Sequence, residues 1–169
     1  FVIIDNNQGL VKIKKRETLK IIGSRNFGIG CDQILIIESH DYANAVVTIF
    51  NNDGSEAGSC GNGIRCVASY LMKKHKSNKI KIKTISGIHN CWTENENCFV
   101  NMGKPLFKWT QIPLAKKVES QIIKIDQFEL YCLSMGNPHG VIFLENLNEF
   151  NKVKIEEIGP KIQNNINFP

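Results

Sequence analysis

In the stretch NNDGSEAGSCGNGIRC, residues 51–66, Cys60 stands between Ser59 and Gly61, and an apolar run follows at once. If a helix begins near Gly61 to Gly63, Cys60 is its N-cap. Backbone N–H groups there lack carbonyl partners and carry partial positive charge. That field favours thiolate over thiol, so the sulfur can serve as a base or a nucleophile. Gly61 and Gly63 let a ligand approach the backbone without side-chain obstruction, and the same N–H groups suit a carboxylate or phosphate. The competing reading makes Cys60 a tolerated cap and the glycines ordinary turn residues. A glycine-rich helix start is a weak motif, and spacing alone does not separate the two. Cys66, six residues on, falls on roughly the opposite side of the helix and is expected in the core.

A second constellation is SMGNPHG, residues 134–140. A strand ending in Gly-Asn-Pro-His makes a turn that exposes Asn137 and His139. A histidine working with a cysteine suggests acid–base chemistry; a polar, solvent-facing turn is the alternative. Gln33, at the end of the glycine-rich loop RNFGIGCDQ, and Asn51 are open in the same way. Each is either a turn residue or an amide that reads a ligand.

The elements that must position these groups follow from periodicity. Phe1–Asp5, Ile34–Glu38 and Ala45–Phe50 are short, β-branched, strand-like runs, with a short helix from Thr18 to Gly23. Ile64, Val67, Ala68, Leu71 and Met72 recur on one helical face. Ala68, Ser69 and Tyr70 put little charge on the other side, which predicts a largely buried helix. Lys73, Lys74, His75 and Lys76 suit its C-terminal end, and Asn78 is expected to close it. Residues 79–85, KIKIKTI, alternate as a strand, and 98–103 form another. Strands are expected at 121–126, 129–135 and 140–144. A helical stretch follows around 152–158, with Gly159-Pro160 breaking or restarting it. A boundary at 103–106 gives two domains, 1–104 and 105–169.

Composition excludes several classes. Hydrophobic residues make up 42% and charged residues 22%, the balance of a soluble globular protein. No apolar run reaches the length of a membrane span, and the N-terminus lacks the features of a signal peptide. The chain opens on Phe1 and ends at INFP, and is read as a piece of a longer protein. The net charge of +5 lies mostly in two runs, Lys12, Lys14, Lys15, Arg16 and Lys73, Lys74, Lys76, Lys79. Neither interleaves aromatics, so both read as solvated faces rather than a nucleic-acid surface. There are six cysteines, no C-x-x-C pair and four histidines, which argues against structural zinc. Without a secretory context the cysteines are expected as reduced thiols, five of them as small buried hydrophobes.

FGIGCDQ, FNNDGSEAGSCGNGIRC, VNMGKP and SMGNPH occur in this order, and the chain resembles the diaminopimelate epimerase family along its whole length. The resemblance implies an α+β fold: a curved mixed sheet, or barrel, wrapped round a central helix, in a first domain followed by the start of a second, similar one. In the family, the site lies in the cleft between two such domains. Each supplies a cysteine at the N-terminus of its central helix. One thiolate removes the α-proton while the other thiol protonates the opposite face, interconverting LL- and meso-diaminopimelate with neither pyridoxal phosphate nor metal. Carried over by position, Cys60 is the first-domain acid/base. Gly61 and Asn62 hold the reacting carboxylate. Gln33, Asn51 and Asn137 line the pocket, the asparagines reading the distal amino-acid end, and His139 tunes the thiols.

Cys31, Ser59, Ile64 and Gly140 depart from much of the family without removing a named group. The second cysteine motif and the Glu-Arg pair that binds substrate lie outside these residues, so the chain by itself is expected to be inactive. Implied besides are lysine and peptidoglycan-precursor synthesis, a cytoplasmic setting, no cofactor, a small-molecule substrate, no nucleic acid and no membrane; a homodimer is left open. The rivals are a related two-thiol amino-acid racemase or epimerase with another substrate, a cysteine hydrolase using Cys60 and His139, and a non-catalytic anion-binding module.

Overall fold

Ile34, Leu35, Ile36 and Ile37 are consecutive and all buried, which requires apolar packing on both faces of their strand. In the computed structural model this strand is β2 (Gln33–Glu38). The structure describes residues 1–10, 12–13, 15–118, 121–146, 148 and 153–168. Leu35 and Ile37 face one core, with Val47, Ile49, Ile64, Val67, Leu71 and Ile82. Ile34 and Ile36 face another, with Leu19, Cys31 and Phe50.

The described residues form two compact units, Phe1–Gly103 and Lys104–Pro169. The first holds a mixed six-stranded sheet: β1 (Val2–Asp5), β2, β3 (Ala45–Asn51), β4 (Lys79–Thr84), β5 (Gly87–Glu94) and β6 (Asn97–Val100), in that spatial order. β1 runs parallel to β2 and β3 parallel to β4, whereas the remaining neighbours are antiparallel. β3 and β4 pair only at Ala45–Ile82 and Val46–Lys83. Helix α1 (Arg16–Gly23) lies against β2, and α2 (Gly61–His75) connects β3 to β4. The sheet curls round α2, which packs on β2, β4, β5 and β6 through Ile64, Val67, Ala68, Leu71 and Met72.

The face of α2 away from the sheet is open: Arg65, Cys66, Tyr70, Lys73 and Lys74 are exposed, so the helix is half buried rather than largely so. Cys66 is therefore not a core residue. Lying opposite Cys60 does not put it against the sheet: the buried stripe is set by Ile64 and Val67, and Cys66 lies beside that stripe on the solvent side. The helix also ends before Asn78. Lys76 adopts the left-handed conformation (φ 50°), its N–H bonds to the Lys73 carbonyl and Ser77 N–H bonds to that of Met72. Those carbonyls are thereby satisfied in the manner of a Schellman cap.

Asp5, at the end of β1, ties that strand to α2 by accepting hydrogen bonds from the Tyr70 hydroxyl (2.7 Å) and Lys74 Nζ. Burial pushes its carboxyl up, but these donors and the Asn7 N–H outweigh burial and bring it down to about 2 from 3.8. A carboxylate whose pKa is lower folded than unfolded stabilises the fold at pH above the unfolded value. That contribution is lost as pH falls from 3.8 through about 2. The urea midpoint of the protein is expected to drop across that window, and Asp5→Asn to flatten the drop while lowering the midpoint at neutral pH. Parallel pH profiles for the two proteins would show that the link contributes nothing.

The second unit is an antiparallel meander, β7 (Ile122–Ile125), β8 (Phe128–Ser134) and β9 (Pro138–Val141), with helix α3 (Ile155–Gln163). Its core is Ile112, Leu114, Ile123, Ile125, Leu130 and Cys132. β9 starts earlier than expected because Pro138 opens it, a strand position where proline is tolerated. α3 runs through Gly159 and Pro160 rather than breaking there. Pro160 follows closely on the helix start, so its missing N–H removes one intrahelical bond. Lys14 of the first basic run, and Lys152 at the start of the expected helical stretch, lie outside the described residues. Among the described residues, no helix is long and apolar enough to cross a membrane.

Candidate active site

Cys60 caps α2. Its backbone is extended (φ −152°, ψ 96°), and its sulfur accepts the Gly63 N–H at 3.2 Å. The Cys60 carbonyl accepts the Ile64 N–H at 2.9 Å, which starts the helical ladder. Among the described residues no protein group accepts the N–H of Gly61 or Asn62. The thiol is half-buried and sits beside two open donors at the positive end of a fifteen-residue helix.

Close approach of α2 to the sheet depends on Gly63. A Cβ there would lie 2.9 Å from Leu35 Cδ2 and 3.2 Å from Cys60 Sγ. The bare backbone lets the first turn settle on β2 with the sulfur tucked against it. Gly61 faces Met102, where a Cβ would find ordinary contact at 3.6 Å, so that glycine is not required by packing. The Asn62 side chain is exposed and accepts from Arg65 Nη2 at 3.4 Å.

Gln33 and Asn51 are brought together by strand register: they are cross-strand partners of β2 and β3. Gln33 Nε2 donates to Asn51 Oδ1 at 3.2 Å, and Asn51 Nδ2 donates to Ser55 Oγ at 3.0 Å. Both amides are half-buried. Asn137 and His139 belong to the second unit, where His139 Nε2 pairs with Asn137 Oδ1 at 3.1 Å. His139 lies on β9 and is exposed, and Gly136 with φ 93° makes the preceding turn.

The remaining cysteines differ in setting. Burial pushes the Cys91 thiol up to about 12, and it also raises Cys98 and Cys132. These sulfurs are held as thiols. Cys66 alone of the six cysteines is exposed.

Sequence reasoning passed over two residues here. Asp53 Oδ1 accepts both the hydroxyl and the N–H of Ser55, at 2.5 and 2.9 Å. Asp followed two residues on by a bonded N–H is an Asx-turn, and D-G-S carried that signal. His89 was passed over too. It is buried on β5, with Nε2 3.0 Å from Thr84 Oγ1 and Nδ1 3.3 Å from the Asn101 carbonyl. Among the described residues, no group of three or more His, Cys, Asp or Glu could hold a metal ion.

Comparison with known proteins gives the family of the chain. The family model described as diaminopimelate epimerase matches residues 1–108. A diaminopimelate epimerase of Carboxydothermus hydrogenoformans is 38% identical over all of this chain and 64% of its own length. One from Pelagibacter ubique is 35% identical, again over all of this chain and 63% of its own length. The chain thus spans less than two thirds of the curated relatives it matches. A solved structure of a Bacillus anthracis phenazine biosynthesis protein of the PhzF family superposes with a TM-score of 0.56 at 20% identity, covering 90% of this chain and 52% of that one. At that identity the likeness concerns the fold, a mixed sheet curled on a helix.

Proposed function

Because the chain belongs to the diaminopimelate epimerase family, we propose that the full-length protein is a cofactor-independent isomerase that interconverts LL- and meso-diaminopimelate, with Cys60 as one of its two acid/base groups. The observation that carries this reading is the start of α2: a sulfur holding one backbone N–H, with the N–H groups of Gly61 and Asn62 open beside it.

In the proposed reaction the Cys60 thiolate takes the α-proton. The Cα–H bond breaks, an S–H bond forms, and the electron pair left on carbon spreads into the adjacent carboxylate. That carboxylate sits on the Gly61 and Asn62 N–H groups, which stabilise the charge it gains. A second thiol, from the part of the relatives' length that these residues do not span, delivers a proton to the opposite face, and the stereocentre inverts. In the reverse direction the two sulfurs exchange roles. Gln33, Asn51 and Asn137 bind the polar remainder of the substrate, and His139 adjusts the thiols' protonation. The product serves lysine and peptidoglycan-precursor synthesis in the cytoplasm.

The test is conversion of LL- to meso-diaminopimelate by the full-length protein in heavy water. Inversion should be accompanied by one deuterium at the α-carbon of each product molecule, because the accepting and delivering sulfurs are different and the second exchanges with solvent. Inversion without solvent deuterium, or no inversion, would overturn the two-thiol reading.

A further inference from the structure

The hydrogen bonds that begin at Asp53 form a directed chain. Arg16 holds the aspartate from the start of α1, with Nη2 3.5 Å from Oδ2 and Nε donating to the Asp53 carbonyl at 3.2 Å. The Ser55 hydroxyl and N–H, and Arg16 beside them, keep the Asp53 carboxyl below its ordinary range, so it is ionised at neutral pH. A carboxylate only accepts. The Ser55 hydroxyl must therefore spend its single hydrogen on Asp53, which leaves Ser55 Oγ only able to accept from Asn51. Asn51 must turn Nδ2 toward Ser55 and Oδ1 toward Gln33, and Gln33 must turn Nε2 toward Asn51. The amide plane of Gln33 then directs Oε1 away from the chain. Among the described residues, nothing donates to Gln33 Oε1.

Resting on the reading of Asn51 and Gln33 as pocket residues, we propose that Asp53 and Ser55 are positioning residues. They fix the hydrogen-bonding polarity of both amides, so that the pocket selects a ligand group that donates, an ammonium, over one that cannot. A buried amide pair without such an anchor can flip as a unit and present an NH₂ in place of the oxygen. One negative charge outside the pocket removes that freedom. A hydrogen bond left unpaired on binding is what separates cognate ligand from analogue.

The experiment uses the full-length protein and two substrates: diaminopimelate, and 2-aminopimelate, in which the distal ammonium is replaced by hydrogen. Asp53→Asn lets the Ser55 hydroxyl point either way, and Ser55→Ala leaves the Asn51 NH₂ without its acceptor. Both are expected to raise KM for diaminopimelate and to reduce discrimination between the substrates about tenfold, with kcat little changed. Ser55→Thr keeps the hydroxyl and should restore discrimination. Asp53 is exposed, so Asp53→Asn carries the test even if Ser55→Ala fails to fold. If Asn51→Ala raises KM while Asp53→Asn matches wild type in KM and discrimination, the relay is wrong and the pocket reading stands. If Asn51→Ala itself changes neither KM nor discrimination, the pocket reading fails and takes the relay with it.

Discussion

Cys60→Ser in the full-length protein is expected to lose epimerisation by about 10²–10⁴-fold in both directions while keeping its stability. Serine is among the best N-cap residues, and its oxygen can take over the bond from the Gly63 N–H. The fold is therefore spared and only the chemistry changes: an alkoxide is far less accessible than a thiolate, so the proton has no acceptor on that face. Cys60→Ala should lose turnover as fully and also cost about 1 kcal/mol of stability through the lost cap. Cys66→Ala supplies the contrast. It lies exposed on the outer face of α2, so turnover should be unaffected and stability should change by no more than about 0.5 kcal/mol. The measurements are initial rates from each stereoisomer and urea melts of the same preparations. Retained turnover in Cys60→Ser would remove Cys60 from the proton path.

Gly28→Ala is the second large effect, on the fold rather than the chemistry. The loop after α1 folds back on the end of that helix. Gly28 N–H bonds to the Ser24 carbonyl, and the N–H groups of Ile29 and Gly30 share the Ile22 carbonyl. A Cβ at Gly28 would stand 1.8 Å from the Ile21 carbonyl oxygen and 2.9 Å from that of Ile22. These are backbone atoms and cannot rotate away. The loop must lift, breaking the bonds that satisfy the helix end, at a cost of about 3 kcal/mol or more. Gln33 follows directly as the first residue of β2, so substrate affinity should fall too. The urea midpoint of Gly28→Ala, measured beside wild type, should fall accordingly. A neutral Gly28→Ala would mean that the loop does not lie on α1.

The positions of α2 and β2 were legible in the sequence because each obeys a single rule. Ile64, Val67, Ala68, Leu71 and Met72 repeat at helical spacing and are all buried, and the apolar run of β2 is continuous because both its faces are covered. β5 was not legible. Its inward residues include His89, whose burial depends on bonds with the Thr84 hydroxyl and the Asn101 carbonyl, groups that no pattern within residues 87–94 announces. The α2 N-cap could be foreseen from Ser-Cys-Gly-Asn-Gly, whereas the orientation of the Asn51 amide could not. It depends on the β2–β3 register that sets Asn51 opposite Gln33, and on a carboxylate two residues away whose charge decides which way the hydroxyl points. Cys66 shows the limit of angular reckoning: being opposite the cap is not the same as facing the sheet.

The narrow seam between β3 and β4 has a consequence for how this scaffold can diverge. Two ladder pairs, with the Asn44–Lys81 hydrogen bonds beside them, join strands β1–β3 to strands β4–β6, and α2 packs across both halves. The helix that presents the thiol thus also staples the sheet, so the proposed proton transfer and the integrity of the fold are inherited through the same few side chains. Drift at Ile64, Val67 or Leu71 is penalised twice, while the solvent face of each half can be remodelled independently. A library that randomises the outer faces of β4 and β5 should yield many folded, active members, and one that randomises the inner face of α2 very few.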